Sequence, residues 1–176
     1  WTDSLKLVKV LCENSRSLVK KFRLTFLGKG WSMLQEKLVA NGYEVECKSW
    51  VEVYAGEVIK HDIQLFPISV GSGTKGKVLD ALSMGLLCIG SEIAMENIYV
   101  KHGHSCYLYH NVSDVVEFLL EVYSNRNNAI EIATRGQQQV LKWHSPQRIF
   151  SIICQDVMGK IEYNGVEEFN KVISNL

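Results

Sequence analysis

An apolar run from Ile63 to Ile68 passes through Gly71, Gly73 and Gly76 into a helical pattern at Val78, Leu79 and Leu82, which stops at Gly85. A short apolar run bounded by turn residues reads as a buried strand, and a glycine after the last periodic residue reads as a helix C-cap. A strand that turns through glycines into a helix is the repeating unit of a parallel α/β sheet, because parallel strands need a crossover between them. The same unit makes an anion site. The first backbone N–H groups of the helix have no partner within it, and the positive end of its dipole points the same way. Ser72 and Thr74 lie in the turn, and Lys75 and Lys77 add positive charge beside it. Asp80 follows one turn into the helix, where a carboxylate accepts hydrogen bonds from sugar hydroxyls. Phosphate donors next to a hydroxyl acceptor suggest a nucleotide.

The rest of the chain repeats the alternation of helix and strand. Thr2 or Asp3 caps a helix through about Glu13, and Leu24 to Leu27 is a strand. Trp31 to Ala40 is a helix stopped at Asn41 and Gly42. Tyr43 to Lys48 alternates with period two, so one of its faces is wetter than the other. Val51 to Lys60 reads as a helix, Leu86 to Ile89 and Cys106 to Tyr109 as short strands, and Asn111 to Tyr123 and Asn128 to Trp143 as helices. Ser145 before Pro146 is an N-cap followed by proline at the first helical position, opening a helix to about Met158. Residues 160–176 form a last helix or a tail. The expected fold is a Rossmann-like parallel sheet with helices on both faces and further helices at the C-terminus, in one domain spanning residues 1–176.

Composition narrows the function. Of 176 residues, 47% are hydrophobic and 22% charged, which is globular. The formal net charge is zero, so nothing speaks for nucleic acid, and any phosphate affinity must come from local geometry. Five cysteines with no C-x-x-C spacing read as free thiols in a reducing, cytoplasmic compartment. No run of 18 apolar residues is present, so no membrane span is expected. The chain opens at Trp1 directly into a helical pattern, as an excised piece of a longer protein would.

Three chemistries compete for particular residues. The segment Gly71 to Lys77 fits the P-loop pattern G-x-x-x-x-G-K, but Val78 stands where a Ser or Thr must hold magnesium. Gly28-Lys29-Gly30 ends a strand, where ligands of open α/β sheets gather, yet it lacks the third glycine of a dinucleotide fingerprint. His102, His104 and Cys106 share a strand-like spacing without the fourth ligand a closed zinc site needs. The site is therefore read without metal or cofactor, and no nucleophile or general-base arrangement marks a catalytic residue.

Taken together, these motifs resemble the C-terminal half of retaining glycosyltransferases of the two-Rossmann (GT-B) architecture, in family four. That family has a strand ending in Pro, a glycine turn, a Leu-Glu-Ala-Met-Ala-x-Gly helix, a short Pro-Val-Val strand and a turn carrying Glu-Gly. Here these are Leu65 to Pro67, Gly71 to Lys75, Val78 to Gly85, Leu87 to Ser91, and Glu96-Asn97. Upstream, Leu24 to Gly30 is similar to the family's Ile-Val-Gly-x-Gly turn. Downstream, Val100 to Tyr109 is similar to its Gly-x-Asn-Gly-Leu-Leu-Val hook. The likeness runs from about Trp1 to about Met158.

The resemblance implies a sugar transferase, of hexosyltransferase type, used in polysaccharide synthesis. A UDP- or GDP-sugar donor would lie across the strand ends. Its diphosphate would meet Gly71 to Lys77 with Gly28 and Gly30, its ribose Asp80, and its base residues 48–51. It also implies a separate N-terminal acceptor domain, without which this piece turns nothing over. The sequence departs from the pattern at two positions. Asp80 replaces the family glutamate that binds ribose, and Ser72 replaces the glutamate that contacts the donor sugar. The family's basic pair, which grips the diphosphate, would precede Trp1. Two other readings stay open: a P-loop-like nucleotide hydrolase and a non-catalytic α/β interaction domain.

Overall fold

The computed structural model describes residues 2–158. The expected tail or last helix over 160–176 lies outside the described residues. Along the chain run α1 (Thr2–Glu13), α2 (Ser15–Leu18), β1 (Arg23–Leu27), α3 (Ser32–Ala40), β2 (Glu44–Lys48), α4 (Tyr54–Val58), β3 (Ile63–Phe66), α5 (Gly76–Ser83), β4 (Leu87–Ser91), β5 (Tyr107–Tyr109), α6 (Asp114–Ser124), α7 (Arg126–Trp143) and α8 (Pro146–Met158).

All strand pairs are parallel, in two sheets among the described residues. In one, β1 pairs with β2, setting Leu24 against Val45 and Phe26 against Cys47. In the other the order is β3-β4-β5, with Leu65 against Ile89 and Ile89 against Tyr107. The period of two sorts the side chains. Leu24, Phe26, Ile63, Leu65, Leu87, Ile89, Tyr107 and Tyr109 join one apolar cluster with α1, α3, α6 and the first half of α7. Leu27, Phe66, Cys88 and Leu108 join another with α4, α5 and the end of α7. Helices thus cover both faces, which is why β4 is buried along nearly its whole length. By contrast β2 exposes Glu44 and Glu46, the wetter face its alternation predicts.

The crossover from β1 to β2 uses α3 on the first face, and that from β3 to β4 uses α5 on the second. A doubly wound sheet moves its crossovers to the opposite face where its strand order reverses, and here that change of face falls between β1 and β3. Ligands of open α/β sheets bind outside the carboxyl ends at such a reversal.

Local stops follow the residues. Gly42, at φ +90°, lets its N–H donate to the Val39 carbonyl at 2.9 Å while Tyr43 N–H donates to Leu38 at 3.1 Å. Gly85, at φ +82°, repeats this pattern with Leu82 and Leu86-to-Ala81 bonds, both at 3.0 Å. Both are Schellman motifs that only a residue tolerant of positive φ completes cheaply. At the start of α8, the Ser145 hydroxyl accepts from Arg148 N–H at 3.3 Å, as its N-cap position requires. At the other end of the chain, the Asp3 carboxylate accepts from the backbone N–H of Ser69 at 2.9 Å and from its hydroxyl, so it fastens α1 to the chain beyond β3.

Candidate nucleotide site

The segment from Pro67 to Lys75 leaves the carboxyl end of β3 and enters α5. It is anchored at its start on two sides: Asp3 takes Ser69, and the Ser91 hydroxyl donates to the Ile68 carbonyl. Beyond that it is open. Gly71, Ser72, Gly73 and Thr74 are exposed. Gly71 sits at φ +129° and Gly73 at φ +76°, and a Cβ built at Gly73 meets nothing within 4 Å. The turn therefore needs glycine for its backbone shape while leaving room above it.

Lys75 occupies the N-cap position of α5 in extended conformation and makes no side-chain cap, so the first N–H groups of α5 keep no side-chain acceptor. Its ammonium turns back. It donates to the Gly73 carbonyl and lies 3.5 Å from Glu96 Oε2. Lys77 is exposed, with its ammonium 5.9 Å from the ring centre of Tyr54, whose hydroxyl accepts from Gln64 at 3.1 Å. Asp80 is exposed on α5, and no partner of its carboxylate is found among the described residues. Val78 has no exposed surface and lies in the second apolar cluster. A P-loop hydroxyl at that position would point into the core, away from any magnesium ion.

Gly28 and Gly30 follow β1 at φ +117° and +91°. Gly28 N–H donates to the Lys48 carbonyl at 2.8 Å, extending the sheet by one bond, and Gly30 is exposed. Leu27 beside them packs in the same cluster as Phe66 and Ile68, which puts both glycine turns at one end of the molecule. Among the described residues no hydrogen bond joins the two turns. Lys48, at the edge of the expected base region, is engaged. It donates to the buried Glu57 at 2.5 Å and pairs with Glu46 at 3.3 Å, while Lys60 holds the other oxygen of Glu57 at 2.8 Å. These bonds hold the Glu57 carboxyl down to about 2 and raise the Lys48 ammonium above its ordinary value.

A cleft of about 600 Å³ adjoins the anchored start of the loop, between Asp3 and Lys6 on one side and Ser91, His110 and Asn111 on the other, with Ser69 between. It excludes residues 71–77, so the glycine turn is an open surface beside the cleft. The histidines do not converge. His102 accepts from Leu108 N–H at 3.0 Å through Nδ1 and leans on Tyr107 and Phe118, while His110 lies 3.5 Å from Glu92. Among the described residues no three or more His, Cys, Asp and Glu side chains are placed to hold a metal ion.

Two partners were not legible in the sequence. Glu96 stands there only as the counterpart of the Glu-Gly turn, yet it meets Lys75 across 21 positions, and nothing local announces that contact. Tyr54 beneath Lys77 carries no local signal either.

The backbone is similar to the C-terminal domain of the glycosyl transferase group 1 family protein LpcC from Francisella tularensis, with a TM-score of 0.69, 13% identity, and 82% of this chain and 80% of that chain covered. No curated protein matches the chain. The family model "Glycosyl transferases group 1" matches residues 2–125, from α1 through the end of α6, including both glycine turns and α5. The chain belongs to the group 1 glycosyltransferase family.

Proposed function

We infer that this chain is the donor-binding domain of a hexosyltransferase that moves a sugar from a UDP- or GDP-sugar to an acceptor in polysaccharide synthesis. In this reading it is the C-terminal half of a two-domain GT-B enzyme. The acceptor site and the rest of the cleft belong to an N-terminal domain, and this half alone turns nothing over. The diphosphate lies over Gly71 to Lys77 with Gly28 and Gly30 across from it, Ser72 and Thr74 offer hydroxyls toward the donor, and Asp80 accepts from the ribose. The observation that carries the reading is the start of α5, fed by an open glycine turn at a strand's carboxyl end and free of side-chain caps. All five cysteines are free thiols, which suits a reducing, cytoplasmic setting. No described helix is long and apolar enough to cross a membrane.

Titration calorimetry with UDP and GDP tests it. A half-cleft of this kind should bind with a dissociation constant on the order of 0.1–10 mM, roughly 3–5 kcal/mol. No binding of either nucleotide at 10-fold higher concentration would overturn the donor-site reading. Sugar transfer by this chain alone would overturn the assignment of the acceptor half to another domain.

A further inference from the structure

We propose that Glu96 gates the glycine turn: it holds Lys75 folded across the anion site, and a diphosphate enters by taking that lysine from it. The proposal deepens the donor-site reading above and rests on it for the ligand's chemistry. Three observations carry it. First, the Lys75 side chain is only 16% exposed, although lysine heads are normally solvated. Second, its stem lies across the turn: the Lys75 Cε would be 3.8 Å from a Cβ at Gly71, and the ammonium donates to the Gly73 carbonyl. The lysine thus lies along the Gly71 side of the turn, beside the exposed backbone that a phosphate would approach. Third, the partner that holds it comes from a fixed position. Glu96 sits between buried Met95 and the αL residue Asn97 (φ +61°), with Ile98 buried behind.

The pair has a definite electrostatic consequence. Glu96 offsets the Lys75 charge internally while Lys77 stays exposed, and the Glu96 carboxylate faces the place a phosphate would take. A diphosphate must displace Glu96 from Lys75 and tolerate its repulsion, and in return it meets a lysine already at the turn. Glu96 is therefore a positioning residue acting through Lys75, and its removal should help a phosphorylated ligand while leaving an unphosphorylated one indifferent.

Glu96→Gln should bind UDP at least about threefold tighter than wild type at low salt, with uridine unchanged. Lys75→Met should weaken UDP binding, and in the Lys75→Met background Glu96→Gln should give no gain, since a contact shows as coupling in a double-mutant cycle. Independently of any ligand, Glu96→Gln should speed acylation of Lys75 by an amine-directed reagent relative to Lys77, read by peptide mass spectrometry. Equal or weaker UDP binding by Glu96→Gln, or an unchanged Lys75-to-Lys77 labelling ratio, would overturn the gate. Should wild type and every variant ignore UDP and GDP while Lys75 labelling still rises, the donor-site reading falls and the proposed gating of a diphosphate falls with it, leaving only the ion pair.

Discussion

A Cβ at Gly136 would stand 2.5 Å from the backbone carbonyl of Ser105 and 2.9 Å from Leu82 Cδ2. Helix α7 therefore lies against the chain before β5 with no room for one methyl group. Ser105 is itself buried, its hydroxyl accepting from Lys101 N–H at 2.8 Å, so this wall cannot retreat cheaply. Gly136→Ala should lose about 1–3 kcal/mol to overpacking, outweighing the roughly 0.5–1 kcal/mol that alanine gains in a helix. The control is Gly76→Ala, where nothing lies within 4 Å and φ is ordinary. That change should be neutral or stabilise by about 0.4–1 kcal/mol. Urea unfolding of the two variants distinguishes a packing glycine from a merely flexible one.

Glu57 should make stability fall in acid. Its folded value of about 2 lies below the ordinary 4.5 because Lys48 and Lys60 bond the carboxylate. A carboxyl lowered on folding stabilises the protein fully above its unfolded value, and the contribution is lost as pH falls through the folded one. Stability should therefore decline between about pH 4.5 and pH 2, and in Glu57→Gln that part of the slope should vanish while stability at pH 7 drops. Thermal unfolding across this range measures it. An unchanged acid limb in the variant would mean that the lysines bond Glu57 without favouring its ionised form.

Asp80→Ala should weaken UDP or GDP binding about tenfold, the equivalent of ~1.4 kcal/mol, and leave inorganic diphosphate binding nearly unchanged. Its carboxylate is exposed and unpartnered among the described residues, so the folded protein loses nothing by its removal. 2′,3′-Dideoxy nucleotides should bind wild type as weakly as ordinary nucleotides bind the variant. Equal calorimetric affinity of wild type and variant for UDP would make Asp80 a plain surface residue.

Cys88 and Cys106 should resist thiol reagents until the protein unfolds. Both have no exposed surface, and burial pushes the Cys106 thiol up to about 12 and the Cys88 thiol upward too. Thiolate is the reacting species, so labelling at pH 8 should follow opening of the core. Rapid labelling of either in native buffer would show that the sheet opens locally around β4 and β5.

Much of the fold was readable because its punctuation is local. Gly42 and Gly85 stop helices by conformations few other residues adopt, and Ser145-Pro146 starts one with a hydroxyl and a preset φ. The parallel α/β pattern followed from apolar strands alternating with helical spacing. What failed to show was set by tertiary contact. Val51 to Lys60 has helical spacing, but only Tyr54–Val58 coils, and the turn before it leaves Trp50 and Val53 exposed. Helix α5 begins at Gly76, two residues before its first apolar anchor, and the short α2 has too few residues to declare a period. Asp3 looked like a helix cap and instead binds Ser69, 66 positions away. The candidate site divides the same way. Its glycines and its uncapped helix start were local, whereas the hold of Glu96 on Lys75 was not.

Among the described strands only β4 has a strand paired on both sides; β2 and β5, the outer strands, each have one neighbour. Half the amides of a strand with one neighbour point away from it, and such a row accepts any extended segment that comes within reach. Solubility is the property this governs. A concentrated solution of the chain should cloud through the borders of β2 and β5, its deuterium-shielded centre at Leu87–Ser91 surviving intact within the precipitate, so that a short peptide matched to either border would keep the solution clear.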